Sequence, residues 1–215
     1  MVNTVVQSFR ALILDFGDVV VLALNSPERQ RWLEQIGREN DEFQAWLWHT
    51  PEALAALRGE LVLDKFWIRV GAQVGLSVEQ SLNMGRDYWA GNRLNEAAVN
   101  LARGAREHGL RVGLLSNAYC ELGPELAEYG LEGLFDDVVV SAVVGLIKPE
   151  SAIYTLACSR LGVVPQQALF LDDSRANVEA ASGVGLHALQ YVDESTIFSA
   201  ARLLGLPWPV HTGGS

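Results

Sequence analysis

Five short apolar runs constrain this chain most: residues 11–14, 111–115, 137–140, 168–171 and 186–191. Each holds four to six residues, and most end in a polar or small residue. Continuous apolar runs of that length are strands buried on both faces, as in a parallel sheet covered by helices. Helical stripes lie between the later runs. Ala98, Leu101, Ala102 and Ala105 share a face ahead of the second run, and Ile153, Leu156, Ala157 and Leu161 share one ahead of the fourth. Strand alternating with helix predicts an α/β fold: a doubly wound, parallel five-stranded sheet flanked by helices.

The first interval breaks that rhythm. Roughly 70 residues, 25–95, separate the first strand from the helix leading into the second, whereas a crossover needs only a dozen or more. No run within it reads as a strand. Helical patterns cover 27–37, 42–49, 51–58, 64–74 and 77–89. Thr50-Pro51 fits an N-cap followed by proline at the first helical position, and Ser77 with Gln80 fits a capping box. The expected organisation is an α/β core of residues 1–24 and 95–206, a small all-helical cap domain of residues 25–94, and a flexible tail at 207–215. Five of the six tryptophans, Trp32, Trp46, Trp48, Trp67 and Trp89, fall in the helical segment. Large aromatics mostly carry core packing. Trp46 and Trp48 are the best placed to line a pocket, with His49 beside them at a helix end.

Composition narrows the partners. The 215 residues carry a net charge of −10 and a pI near 4.8. Nucleic acid and anionic membrane surfaces want a basic face, so neither is an expected partner. Asp15 and Asp18 interrupt the apolar stretch 11–24, which reads neither as a signal-peptide core nor as a membrane span. Cys120 and Cys158 have neither zinc-site nor CxxC spacing, so a reducing, cytoplasmic setting is expected. A monomer or homodimer is the expected state.

The chemistry lies at the ends of the runs, where open α/β sheets bind ligands. Asp15 closes the first run, and a carboxylate there is expensive to bury without a partner. Ser116-Asn117 closes the second; a hydroxyl and an amide there serve either an ordinary turn or a phosphate. Lys148-Pro149 follows the third, as a solvated loop lysine or as a cation for a carboxylate and a phosphoryl group. Asp172-Asp173 closes the fourth. One of the two can cap the following helix, but capping leaves the other unexplained. Paired carboxylates repel, and a hard divalent cation such as Mg²⁺ resolves the repulsion.

Asp, Ser-Asn, Lys-Pro and Asp-Asp in this order resemble the haloacid dehalogenase superfamily, mostly Mg²⁺-dependent phosphatases with a Rossmann-like core. The resemblance covers residues 10–24 and 95–192, and the helical insertion matches the family's cap type. Phe16-Gly17-Asp18-Val19, Arg58-Gly59-Glu60 and Leu115-Ser116-Asn117 look closest to the epoxide-hydrolase-like branch, which includes bacterial sugar-phosphate phosphatases. The resemblance implies a phosphomonoester hydrolase acting on a small phosphorylated metabolite. In it Asp15 is the nucleophile and forms an aspartyl-phosphate. Mg²⁺ is held by Asp15, the Gly17 carbonyl and Asp173, with Asp172 as a further ligand or one step removed. Ser116, the Asn117 backbone and Lys148 bind or neutralise the phosphoryl group.

One position departs from the pattern. Most phosphatases of the superfamily carry a second Asp two residues after the nucleophile, where this chain has Gly17. Three readings follow: a leaving group that needs little protonation, such as a sugar 1-phosphate; Asp18 as substitute acid/base; or a weak member of the family. The alternatives are a 2-haloacid dehalogenase-type hydrolase working through an aspartyl-ester, and a catalytically weak protein that binds a partner through its tryptophan-rich cap. Dehalogenases carry an arginine shortly after the nucleophile; Arg29 and Arg31 here lie among polar residues and read as solvated.

Overall fold

The four residues of β1 (Ala11–Leu14) are all fully buried, and they face two ways. Leu12 and Leu14 pack into one apolar cluster with Leu101, Ala102, Ile197 and Ala201. Ala11 and Ile13 pack into a second with Ile153, Tyr154, Phe170 and Ala181. The period-two alternation of a strand divides its side chains between two helical layers. Each large side chain so buried contributes roughly 1.5–3 kcal/mol before chain entropy is charged against it. The structure is a computed structural model describing residues 9–207; past Pro207 the expected tail lies outside them.

In chain order the remaining strands are β2 (Val21–Leu22), β3 (Arg93–Leu94), β4 (Arg111–Ser116), β5 (Asp137–Val140), β6 (Ala168–Asp172) and β7 (His187–Gln190). The main sheet has the order β5-β4-β1-β6-β7, and every pairing in it is parallel. The five expected strands are all present. β4 and β6 run one residue further than expected, so Ser116 and Asp172 belong to the strands themselves. Helices α6 (Glu96–Glu107) and α11 (Glu194–Leu204) supply one layer, and α9 (Ser151–Arg160) and α10 (Arg175–Val184) the other. Short helices α7 (Leu122–Glu128) and α8 (Ser141–Val144) follow β4 and β5.

The long interval holds α1 (Pro27–Ile36), α2 (Asn40–Trp48), α3 (Pro51–Leu57), α4 (Leu63–Gln73) and α5 (Val78–Tyr88). The caps read from sequence form. The Thr50 hydroxyl accepts from the Ala53 N–H, and Ser77 and Gln80 make a reciprocal capping box. These helices bury their own cluster, including Leu33, Phe43, Leu47, Phe66, Trp67, Val70, Met84 and Tyr88.

The expectation of no strand between 25 and 95 is corrected by β3, which pairs antiparallel with β2. Two residues carry no readable period, so the ribbon left no trace in the sequence pattern. It matters for placement, because the segment leaves and returns at one point. Asn95 donates its backbone N–H to the Val20 carbonyl (2.9 Å) and its side-chain amide to the Val19 carbonyl (2.9 Å).

The segment also meets the core at the turn after α3. Gly59 has φ +75, and a Cβ there would lie 2.1 Å from the Ala142 carbonyl oxygen, so only glycine permits this approach. No helix among the described residues is long and apolar enough to cross a membrane.

Candidate active site

β1 lies between β4 and β6, so three adjacent strand ends bring Asp15, Ser116 and Asp172 to one place. The Asp15 N–H continues the ladder by donating to the Leu171 carbonyl (2.9 Å). Lys148 arrives from the loop after α8. Its Nζ lies 2.7 Å from Asp15 Oδ1 and 2.6 Å from Asp172 Oδ2, and it donates to the Leu115 carbonyl at 3.1 Å. An ammonium has three donors, and all three are used. Lys148 and Asp172 are 3% and 0% exposed, so this is an internal ion cluster rather than a surface one.

Each carboxylate has a distinct state. Asp15 Oδ1 also accepts the Phe16 N–H (2.7 Å). Burial pushes the Asp15 carboxyl up to about 7; Lys148 pulls it down, while Asp172 and Asp173 push it further up. Asp172 is saturated: Oδ1 accepts the Ser174 N–H and the Asn177 amide, and Oδ2 is shared between Lys148 and Asn177. Asp173 is exposed, and its carboxyl is held above the usual range by partial burial and then by Asp172 and Asp18. Burial lowers the Lys148 ammonium, but the two carboxylates outweigh it and hold it above its ordinary value. Asp15, Asp172 and Asp173 each offer an oxygen within 4.8 Å of the others.

Asn117 has a role the residue type alone did not reveal. Its side-chain oxygen accepts the Lys148 backbone N–H (2.8 Å), and its amide donates to the Lys148 carbonyl (2.9 Å). The side chain is spent on holding the lysine's backbone.

A cavity of about 550 Å³ opens over Asp15, Gly17, Asp18, Ser116, Asn117 and Asp173. Lys148 and Asp172 sit behind it and do not line it. Lys148 therefore stands one side chain back from this space, with its ammonium against Asp15. Asp18 has φ +55, donates its N–H to the Val21 carbonyl (2.7 Å) and accepts the Ala23 N–H on Oδ1 (3.0 Å). A Cβ at Gly17 would meet nothing within 4 Å.

The far wall is aromatic and comes largely from the helical segment. Trp48 lines it, its ring 6.1 Å from Trp89 and 6.4 Å from Tyr119. Trp46 and His49 do not line it. Two residues from Trp48 on one helix is about half a turn, so Trp46 faces away, packing on Phe43 at 5.5 Å with the Arg38 guanidinium 4.9 Å above it. His49 is exposed, its Nδ1 2.5 Å from the Ala45 carbonyl at the end of α2. Tyr88, Tyr119 and Tyr129 also line the cavity and were missed. Only Tyr119, three residues past Ser116, carried a positional clue.

Arg29 is the other correction. It is 3% exposed and lines the cavity. Its guanidinium lies 4.1 Å from the centre of the Tyr88 ring and donates Nη2 to that hydroxyl (3.0 Å), while Nε has no acceptor.

Over 201 residues the chain is 26% identical to the sesquiterpene phosphatase astK of Aspergillus oryzae, covering 92% of this chain and 98% of that one. It is 38% identical over 81 residues to mouse acyl-CoA dehydrogenase family member 10, but that stretch is 37% of this chain and only 7% of the mouse protein. A HAD family enzyme from Bacteroides thetaiotaomicron, solved with magnesium and inorganic phosphate, superposes with a TM-score of 0.69 at 18% identity, over 94% of this chain and 98% of that one; the likeness is one of fold. Residues 4–185 match the haloacid dehalogenase-like hydrolases, and the chain belongs to that family of hydrolytic enzymes.

Proposed function

We propose that this hydrolase is a Mg²⁺-dependent phosphomonoesterase that works through an aspartyl-phosphate on Asp15, with the helical segment 25–94 as its cap. The observation that carries the reading is the arrangement of Asp15, Asp172 and Asp173 within 4.8 Å, the first two tied by one buried ammonium. The donor set is all hard oxygen and fits Mg²⁺. Asp15, Asp173 and the Gly17 carbonyl would hold the ion. Asp172, with both oxygens engaged, keeps Lys148 and Asn177 in place instead. When bound, the ion draws charge from the phosphoryl oxygens and offsets the crowding of carboxylates. The fungal phosphatase relative, and the magnesium and phosphate in the Bacteroides enzyme, support the same reading.

The chain's own residues divide the work. Lys148 and the Phe16 N–H fix Asp15 Oδ1, leaving the second oxygen to meet phosphorus. An oxygen–phosphorus bond forms there as the ester bond breaks. The Ser116 hydroxyl and the Asn117 backbone N–H orient the phosphoryl oxygens, and such positioning is most of phosphoryl-transfer catalysis. Water then attacks phosphorus, freeing Asp15 and releasing phosphate. No acid stands at Gly17 to protonate the leaving oxygen, and Asp18 is the nearest substitute. We therefore assign a small metabolite whose leaving group departs with little protonation, such as a sugar 1-phosphate, with the aromatic wall receiving its body.

Arg29 favours one second reading. A buried guanidinium at the cavity, with no carboxylate partner and its Nε without an acceptor, suits a 2-haloacid carboxylate, with Asp15 displacing halide to give an aspartyl-ester. One panel separates the two. The phosphatase reading expects p-nitrophenyl phosphate to be hydrolysed with Mg²⁺, stopped by a chelator and abolished by Asp15→Asn, with sugar C1 phosphates preferred to C6. Halide release from 2-chloropropionate, indifferent to the chelator, would replace it with the second reading.

A further inference from the structure

Lys148 touches the nucleophile, and its own place is set by the loop that carries it. Three sets of bonds hold that loop. Asn117 grips the Lys148 backbone from the end of β4. Glu150 closes the loop on itself: its backbone N–H donates to the Ile147 carbonyl (2.8 Å), and its Oε2 accepts the Ile147 N–H (3.3 Å). The third set comes from the helical segment. Arg58, directly after α3, donates Nη1 to the Gly145 carbonyl (3.2 Å) and pairs through Nη2 with Glu150 Oε1. One guanidinium therefore spans the loop from Gly145 to Glu150, with Lys148 between its two anchors. The next residue, Gly59, brings the segment's backbone against Ala142 in α8, at the foot of the same loop.

We propose that Arg58 is a positioning residue through which the helical segment fixes Lys148 against Asp15. The proposal deepens the phosphatase reading and rests on it for its kinetic arm. Arg58 does not line the cavity, and its bonds go to Gly145 and Glu150, so it reaches the site through the loop that carries Lys148. With side chains 28% and 38% exposed, the Arg58–Glu150 pair contributes little to global stability. The planar fork satisfies two acceptors at once, which a lysine's single ammonium on its flexible stem does not reproduce. The role is geometric: a small misplacement of a charged group at a reacting centre costs about tenfold or more in rate.

The chain contains only two lysines, exposed Lys65 and buried Lys148, which allows a readout free of activity. In ¹⁵N-lysine-labelled protein, the Lys148 Nζ resonance is expected to be protected from exchange. Arg58→Ala should shift or broaden it while leaving the Lys65 backbone signal and the urea midpoint nearly in place. On p-nitrophenyl phosphate, Arg58→Ala should lower kcat about tenfold with KM little changed, because Arg58 does not line the cavity that receives the substrate. Arg58→Lys should recover only part of the loss, free guanidinium should restore more, and Glu150→Gln should reproduce the kinetic pattern. An unchanged Lys148 resonance in Arg58→Ala overturns the proposal, as does a rate loss that merely follows the urea midpoint. If the wild type hydrolyses no phosphomonoester, the phosphatase reading fails, and the resonance still decides whether Arg58 places Lys148.

Discussion

Asn117 and Lys148 stand 31 residues apart in sequence, and the side chain of the first closes both backbone hydrogen bonds of the second, at 2.8 and 2.9 Å. The side chain of a polar residue at a strand end thereby serves as a clamp on the lysine loop, leaving its backbone N–H for the role proposed above. Asn117→Ala leaves a half-buried N–H and C=O without partners. The expected cost is about 1–3 kcal/mol, read as a lower urea midpoint with an unchanged slope. Hydrolysis should fall with it, since Lys148 loses its register against Asp15.

Removing the ammonium itself is a larger perturbation. Lys148→Met leaves Asp15 and Asp172 buried side by side with no cation between them, and breaking such a cluster costs about 3–5 kcal/mol. The deficit should depend on pH with a definite sign. The Asp15 carboxyl already stands near 7 in the folded protein because of burial and its acidic neighbours, and losing Lys148 raises it further. The folded state then binds a proton that the unfolded chain does not, so stability is greatest in acid and is lost as pH rises through the folded value. Urea titrations of metal-free Lys148→Met against wild type should show a smaller gap at about pH 5.5 than at about pH 8.

Gly17 offers a gain of function. A side chain there meets open space, and the glycine is not in the left-handed region, so Gly17→Asp fits without strain. On the proposed reading, it supplies an acid that the wild type lacks at this position. Rates on alkyl phosphates should rise by roughly 10²-fold or more, with a much smaller change on p-nitrophenyl phosphate, whose leaving group needs no proton. Equal changes on both would mean that protonation does not limit this enzyme.

Asp136 contributes to the acid side of stability. Burial raises its carboxyl, but the Val112 N–H (2.8 Å), Arg106 (3.2 Å) and Arg111 (3.1 Å) outweigh that and hold it below the usual range. A depressed folded value gives stability that is present above the unfolded value and lost as pH falls through the folded one. Asp136→Asn should be less stable at neutral pH and should lose less than wild type on going from about pH 4 to pH 2.

The fold was legible because its decisive elements are local. Leu12 and Ile13 are adjacent, both fully buried and packed into opposite layers, which only a strand between two helical layers explains. Asp15, Ser116 and Asp172 were legible for the same reason, since a polar residue ending such a run must find a partner. What was lost depends on contacts remote in sequence. Arg29 sits in a polar stretch of α1, and its burial is set by Tyr88, 59 residues away. Trp46 and Trp48 look alike in sequence, and only the phase of α2 against the cavity separates them. The saturation of Lys148 requires three acceptors from three strand ends, which no single stretch of chain displays.

The central claim is that Asp15 becomes covalently phosphorylated, and the direct measurement is to trap that state. Acid quench during turnover of p-nitrophenyl phosphate, borohydride reduction and peptide mass spectrometry should convert Asp15 alone to homoserine, and only when Mg²⁺ is present. Reduction at another carboxylate, or steady turnover with Asp15 unmodified and Asp15→Asn still active, would contradict the account.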